Sequence, residues 1–313
     1  MAVSIGLMSE VTVHVGGHVT LLFSVNSKQL LARNQGSKGA GFCLEDGVES
    51  TVRILKQGED RVSVRTMDGE LFVEGNELYI ELLKSFRNVF KIQSPVEIDV
   101  KLELPISQGF GMSAAGLLAT SLALGELFDR GDEGQLARLA HRIERNISGG
   151  LGDILWLWAG GCELRTIPGS PPIPGQAVGF SADAPALLVW DPDGKKHTSS
   201  YINDADWQVK ISNAGESAVE RLKKYNWDSS IWNMLLDEAD KFAMQSGLLE
   251  EVERANLFST VIENTDESLS PHLCMLGTSL IIVPTQLGQE PDYSEIAATL
   301  RGFGLGVRET RIQ

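Results

Sequence analysis

The stretch of this 313-residue chain best equipped for chemistry is residues 105–116, Pro-Ile-Ser-Gln-Gly-Phe-Gly-Met-Ser-Ala-Ala-Gly. Gly109 and Gly111 carry no Cβ, so backbone N–H groups there can close on an anion. The Leu/Ala-rich run 117–128 reads as a helix. Its unpaired first N–H groups and positive dipole end would face the same anion. Ser113 is a candidate N-cap, or its hydroxyl could face a metal ion. On the residues alone, both a phosphate cradle and a tight structural turn remain open. The loop has no Gly-Lys-Ser/Thr ending and so is not a Walker A loop. Ala114 stands where a dinucleotide fingerprint would place its third glycine.

Three further places carry chemical side chains. Residues 28–41 hold Lys28, Arg33 and Lys38 among glycines, in a chain with 27 Lys and Arg against 42 Asp and Glu. They read as a solvated loop or as an anion-binding one, because Arg meets a carboxylate bidentately and glycine-flanked amides form a nest. Glu144 falls at the edge of an apolar helical face made by Leu136, Leu139, Ala140, Ile143 and Ile147. Asp153 follows a glycine turn at 149–152, where Asp is ordinarily a turn former.

Pro-x-x-x-Gly-Phe-Gly-x-Ser-Ala-Ala-Gly resembles the ATP-binding motif of the GHMP kinases, which phosphorylate small metabolites. Its wording is most similar to the archaeal pantoate kinase branch. Gly17, His18 and Thr20 match that branch's first motif, with Gly16 in place of its proline. Loss of that proline frees φ and is expected to loosen the turn. Gly-Ser-x-Gly-Ala-Gly-x-Cys-Leu at 36–44 resembles a segment typical of the branch, and residues 272–279, with Gly277, resemble the family's third motif.

The resemblance implies an α+β, two-domain fold with ATP and acceptor in the cleft between domains. It implies ATP binding by Pro105, Gly109, Phe110, Gly111, Met112, Ser113, Ala114, Ala115 and Gly277. It implies Mg²⁺ held by Ser113 and Glu144, and Asp153 as catalytic base. His18, Arg33, Ser37, Lys38 and Gly39 are its candidates for a small anionic hydroxy-acid substrate. The reaction it implies is ATP-dependent phosphorylation of pantoate to 4-phosphopantoate in coenzyme A biosynthesis. Two alternatives stay open: a sister kinase acting on mevalonate 3-phosphate, and a non-catalytic nucleotide-binding protein.

The elements that must position these residues are readable in outline. Residues 9–15 and 96–104 alternate as strands, and 50–57, 61–66 and 71–75 suggest a meander at the edge of a first domain. Helices are expected at 76–92 and, behind an Asp132/Gln135 capping box, from 132 to about 147. Later helices are expected at 214–225, 228–246 and 293–303, with strands at 186–190, 280–283 and 307–312. Trp207, Trp227 and Trp232 read as core or lid. The Pro/Gly cluster after Ile167 marks a boundary between domains 1–168 and 169–313.

Composition bounds the rest. An apolar share of 42% and a charged share of 22% are ordinary for a globular chain. The net charge of −15 argues against nucleic acid and anionic membranes as partners. The N-terminus lacks the basic start and apolar core of a signal peptide, and three scattered cysteines suit a reducing cytoplasm. A homodimer is left open.

Overall fold

The computed structural model describes residues 9–148, 151, 153–194, 205–275 and 277–313. Gly149, Gly150 and Gly152 of the turn before Asp153, and Leu276 of the third motif, lie outside the described residues. Among the described residues ten strands form one mixed sheet in an α+β fold. No helix among them is long and apolar enough to cross a membrane.

The sheet is built on β2 (Gly39–Ile54), a 16-residue strand. One edge of β2 pairs antiparallel with β1 (Glu10–Phe23) along almost its whole length. The other edge is shared. Residues 48–54 pair with β4 (Val96–Leu102), and residues 39–42 with β5 (Cys162–Ile167). Between them the bridge Ile312↔Leu44 admits β10 (Gly306–Ile312). β3 (Arg61–Arg65) lies parallel to β4, and α1 (Asn76–Phe90) makes the crossover that a parallel pair needs. The second half extends the sheet through β7 (Ala184–Trp190), β9 (Ser279–Pro284) and β8 (Leu269–Leu273). β6 (Gln176–Phe180) hangs on β5, so the Pro/Gly segment 168–175 is the connection within that hairpin.

Several local expectations change. Residues 16–20 are strand rather than loop, because β1 runs through them with a register shift between Gly16 and His18. Gly16 does not loosen a turn. A Cβ there would fall 1.9 Å from Leu44 O, so this close backbone approach admits only glycine. Residues 39–41 likewise belong to β2 rather than to a loop, and residues 50–54, expected at a domain edge, lie in this same central strand. Residues 71–75 form a bridge and a 3₁₀ turn rather than a strand. The expected helix at 214–225 is α5 (Ala205–Leu222), which starts earlier.

Two helices position the chemistry. α2 (Met112–Phe128) is apolar all round and is buried against β1, β2 and α1. A Cβ on Gly116 would fall 2.1 Å from Tyr79 Oη, so that glycine is what lets α1 and α2 approach. α3 (Glu133–Ile143) starts at the Asp132/Gln135 capping box and ends in a π turn over Glu144–Ser148. A short α4 (Ile154–Ala159), which the sequence did not signal, begins just after Asp153. The later helices are α6 (Trp232–Gln245), α7 (Val252–Ile262) and α8 (Ser294–Gly302). Trp232 is core: its ring stacks on Phe42 at 5.2 Å and its Nε1 donates to Pro284 O.

Candidate active site

The glycine loop is held from two sides. Gly109 and Gly111 have φ of +79° and +72°, values that favour glycine. From below, His18 N donates to Phe110 O at 3.0 Å, and the Phe110 ring meets Trp190 edge-on. From the second half, Gly277 lies so close that a Cβ would fall 2.1 Å from Gln108 O. Ser279 Oγ also donates to Gln108 O. The third motif is thus brought against the first glycine loop.

Ser113 is not the N-cap. Ala115 N donates to Gly111 O, so Gly111 caps α2 and Ser113 is its second residue, with an exposed side chain. The N–H groups of Met112, Ser113 and Ala114 are therefore left without partners inside the helix. Pro105 opens this loop at its other end.

Glu144 is buried, and the partly buried Asp153 lies against it. Asp153 N donates to Glu144 Oε1 at 3.0 Å, and the two carboxyl groups act on each other electrostatically. Burial, then the facing Asp153, pushes Glu144 well above the usual carboxylate range. Burial also raises Asp153, and the Arg165 guanidinium opposes that shift. Two carboxyls in this state share a proton unless a cation joins them. Among the described residues no group of three or more His, Cys, Asp or Glu could hold a metal ion. The buried Glu144 carboxyl and the exposed Ser113 hydroxyl are nevertheless oxygen donors of the kind that could hold Mg²⁺, which needs only one or two protein oxygens beside phosphates and water.

The centre of a second buried cluster is Arg165, which the sequence reading missed. It is 1% exposed. Its Nε donates to Glu163 Oε2 at 3.2 Å, its Nη1 donates to Ser37 Oγ, and its guanidinium lies 5.0 Å over the Trp156 ring. Glu163 also takes His18 Nε2 at 3.1 Å. Burial raises Glu163 to about 7, with Arg165 holding it down. Burial, then Arg165, pushes His18 well below its ordinary value, so the ring is neutral, with one proton serving its hydrogen bond with Glu163. Gly39 and Gly41 fit this cluster: Cβ atoms there would fall 2.5 Å from Arg165 Nη2 and 2.7 Å from His18 Cε1.

Three buried donors here have no hydrogen-bond partner among the described residues: Arg165 Nη2, Trp156 Nε1 and Arg145 Nη1. Arg145 gives its Nε and Nη2 to Gln35 Oε1, and its charge acts on both Glu144 and Asp153. Unmet buried donors are costly, so a site with three of them suits an anionic ligand.

The substrate-side candidates divide accordingly. Ser37, Gly39 and His18 gather round Arg165, with His18 fully buried and turned to Glu163 rather than to open space. Lys38 does not join them, since its Nζ pairs with Glu216 on α5. Arg33 also stands apart, on a separate surface groove with Arg138 and Arg142. A signal for Arg165 was present in the sequence. Glu163 and Arg165 alternate with apolar residues on one strand, which places both on the same face.

The profile of the GHMP kinases N terminal domain matches residues 77–161. The chain is 33% identical over 246 residues to a pantoate kinase of Thermococcus kodakarensis, covering 78% of each chain. It is 30% identical over 251 residues to a pantoate kinase of Methanospirillum hungatei, covering 77% of this chain and 76% of that one. Among solved structures, one titled "Phosphotransferase related to CoA biosynthesis pathway" superposes with a TM-score of 0.77 at 26% identity. That match covers 97% of this chain and 96% of the other. The chain belongs to the GHMP kinases, in the branch of the archaeal pantoate kinases. It is an ATP-dependent phosphotransferase acting on a hydroxyl group.

Proposed function

We propose that the protein transfers the γ-phosphoryl group of ATP to the terminal hydroxyl of pantoate, giving 4-phosphopantoate and ADP. The observation that carries this reading is Arg165 Nη2, buried near Asp153 and, like Trp156 Nε1 and Arg145 Nη1, without a hydrogen-bond partner among the described residues. A small hydroxy acid meets these needs at once: its carboxylate pairs with Arg165, which leaves its hydroxyl for Asp153. The relatives at 30–33% identity are pantoate kinases, which favours pantoate over mevalonate 3-phosphate.

ATP and acceptor meet between the halves 1–168 and 169–313. The amides of Gly109 to Ala115 cradle the triphosphate, with Gly277 closing the loop from the other half. Asp153 orients the hydroxyl and takes its proton as that oxygen bonds to the γ-phosphorus and the bond to the β-phosphate oxygen breaks. Glu144 and Ser113 would hold Mg²⁺, whose chemistry here is neutralisation of phosphate charge. His18 and Ser37 fix Glu163 and Arg165, so the guanidinium is aimed before the acceptor arrives.

Two substitutions test this. Arg165→Met raises the acceptor KM by about 100-fold with the ATP KM unchanged, the scale of a lost buried charge pair. Arg165→Lys restores part of it. An unchanged acceptor KM in a folded Arg165→Met protein contradicts the assignment. Asp153→Asn lowers kcat by roughly 10²–10⁴ while ATP still binds. Unaltered turnover in that variant removes Asp153 from the chemistry.

A further inference from the structure

A second cationic site lies on the outer face of α3. A groove of about 640 Å³ runs between residues 31–33, the C-terminal end of α1 and α3. Arg33, Arg138 and Arg142 line it, and its apolar floor includes Leu31, Val89, Phe90 and Leu139. No acidic residue among those described lines it, in a chain with 42 of them. None of the three arginines has an ion pair among the described residues.

The arrangement opposes local stability. Arg138 and Arg142 stand four apart on one helix face, where like charges repel. Arg33 adds a third positive charge across the groove. Its wall is nevertheless fixed: His141 Nε2 donates to Ala32 O at 3.1 Å, and Ser170 N donates to Arg33 O at 2.8 Å. Three exposed guanidinium groups, carried on this fixed backbone over an apolar floor, match an anion with an apolar body. The volume falls within the ~300–1,000 Å³ usual for small-molecule sites. At 3.6 residues per turn, Glu144 projects from the side of α3 opposite Gln135 and Arg142, so the groove is separate from the phosphotransfer site.

We propose that this groove binds a phosphate monoester with an apolar body, at a site distinct from those for ATP and acceptor. The phosphate sits among the three guanidinium groups, which match its oxygens in charge and geometry. The apolar body lies on Val89, Phe90 and Leu139.

Calorimetric titration of phenyl phosphate tests this, on the full-length protein saturated with Mg²⁺ and a non-hydrolysable ATP analogue and with acceptor. The expected result is one site per chain, weakened by salt. In the exposed-surface double variant Arg138→Ala/Arg142→Ala it weakens about tenfold or more, the scale of one charge-assisted contact. The variant's kcat and both KM values stay those of the native protein. Absence of binding to the native chain overturns the proposal, as does equal affinity in the double variant.

Discussion

At the scale of residues, the proposed acceptor side depends on one buried triad. Glu163 joins His18 to Arg165, and all three have 1% exposure or less. Its carboxyl stands at about 7 in the folded chain, against 4.5 as the ordinary value. Because the folded value is the higher, this group favours the fold most at pH below ~4.5, and that contribution is lost as pH rises to about 7. The span is of order 3 kcal/mol for a group this buried. Unfolding measured from pH 4 to 8 should therefore show the native protein losing stability relative to Glu163→Gln across that window. A constant difference between the two proteins at all pH values contradicts the assignment. The triad also explains what local sequence conveys. Ser113, Glu144 and Asp153 stand in contiguous motifs and could be singled out one by one. Arg165 was not, since its partners Ser37 and Glu163's His18 are 128 and 145 residues away from 165 and 163. Lys38 was misread for the same reason: its carboxylate, Glu216, comes 178 residues later.

At the scale of elements, the proposed nucleotide cradle is a contact between two backbones. The loop before α2 takes its shape from Gly109 and Gly111, and Gly277 presses on Gln108 from the turn before β9. Gly277→Ala puts a methyl into the Gln108 carbonyl, and backbone cannot yield as a flexible side chain does. The expected result is a raised ATP KM and a stability loss of roughly 1–3 kcal/mol, the usual cost of overpacking. Gly302→Ala, where a Cβ meets nothing within 4 Å, is the control and should alter neither. An unchanged ATP KM in Gly277→Ala would separate the third motif from the nucleotide. Periodicity placed α1, β4 and α3 well because each has a regular apolar face. It missed the extent of β1 and β2 because their glycines read as loop. In the fold those glycines serve close approach, with Gly41 making room for His18.

At the scale of the molecule, the two halves share one sheet through Ile312↔Leu44 and close on the same segment. Glu216 of α5 takes both Lys38 Nζ and Ser24 Oγ, fixing from the second half the loop that leads to Ser37 and Gly39. The net charge of −15 repels anionic ligands at long range, so binding rests on local cations such as Arg145 and Arg165. That makes acceptor identity a matter of how many negative groups these cations meet, and a single carboxylate suits the one unpartnered nitrogen of Arg165. The most direct test is ADP release by the purified protein with Mg²⁺–ATP and, separately, pantoate, pantothenate, mevalonate and mevalonate 3-phosphate. Turnover with pantoate, and little with the others, is the predicted result. Turnover with mevalonate 3-phosphate and none with pantoate would contradict the central claim.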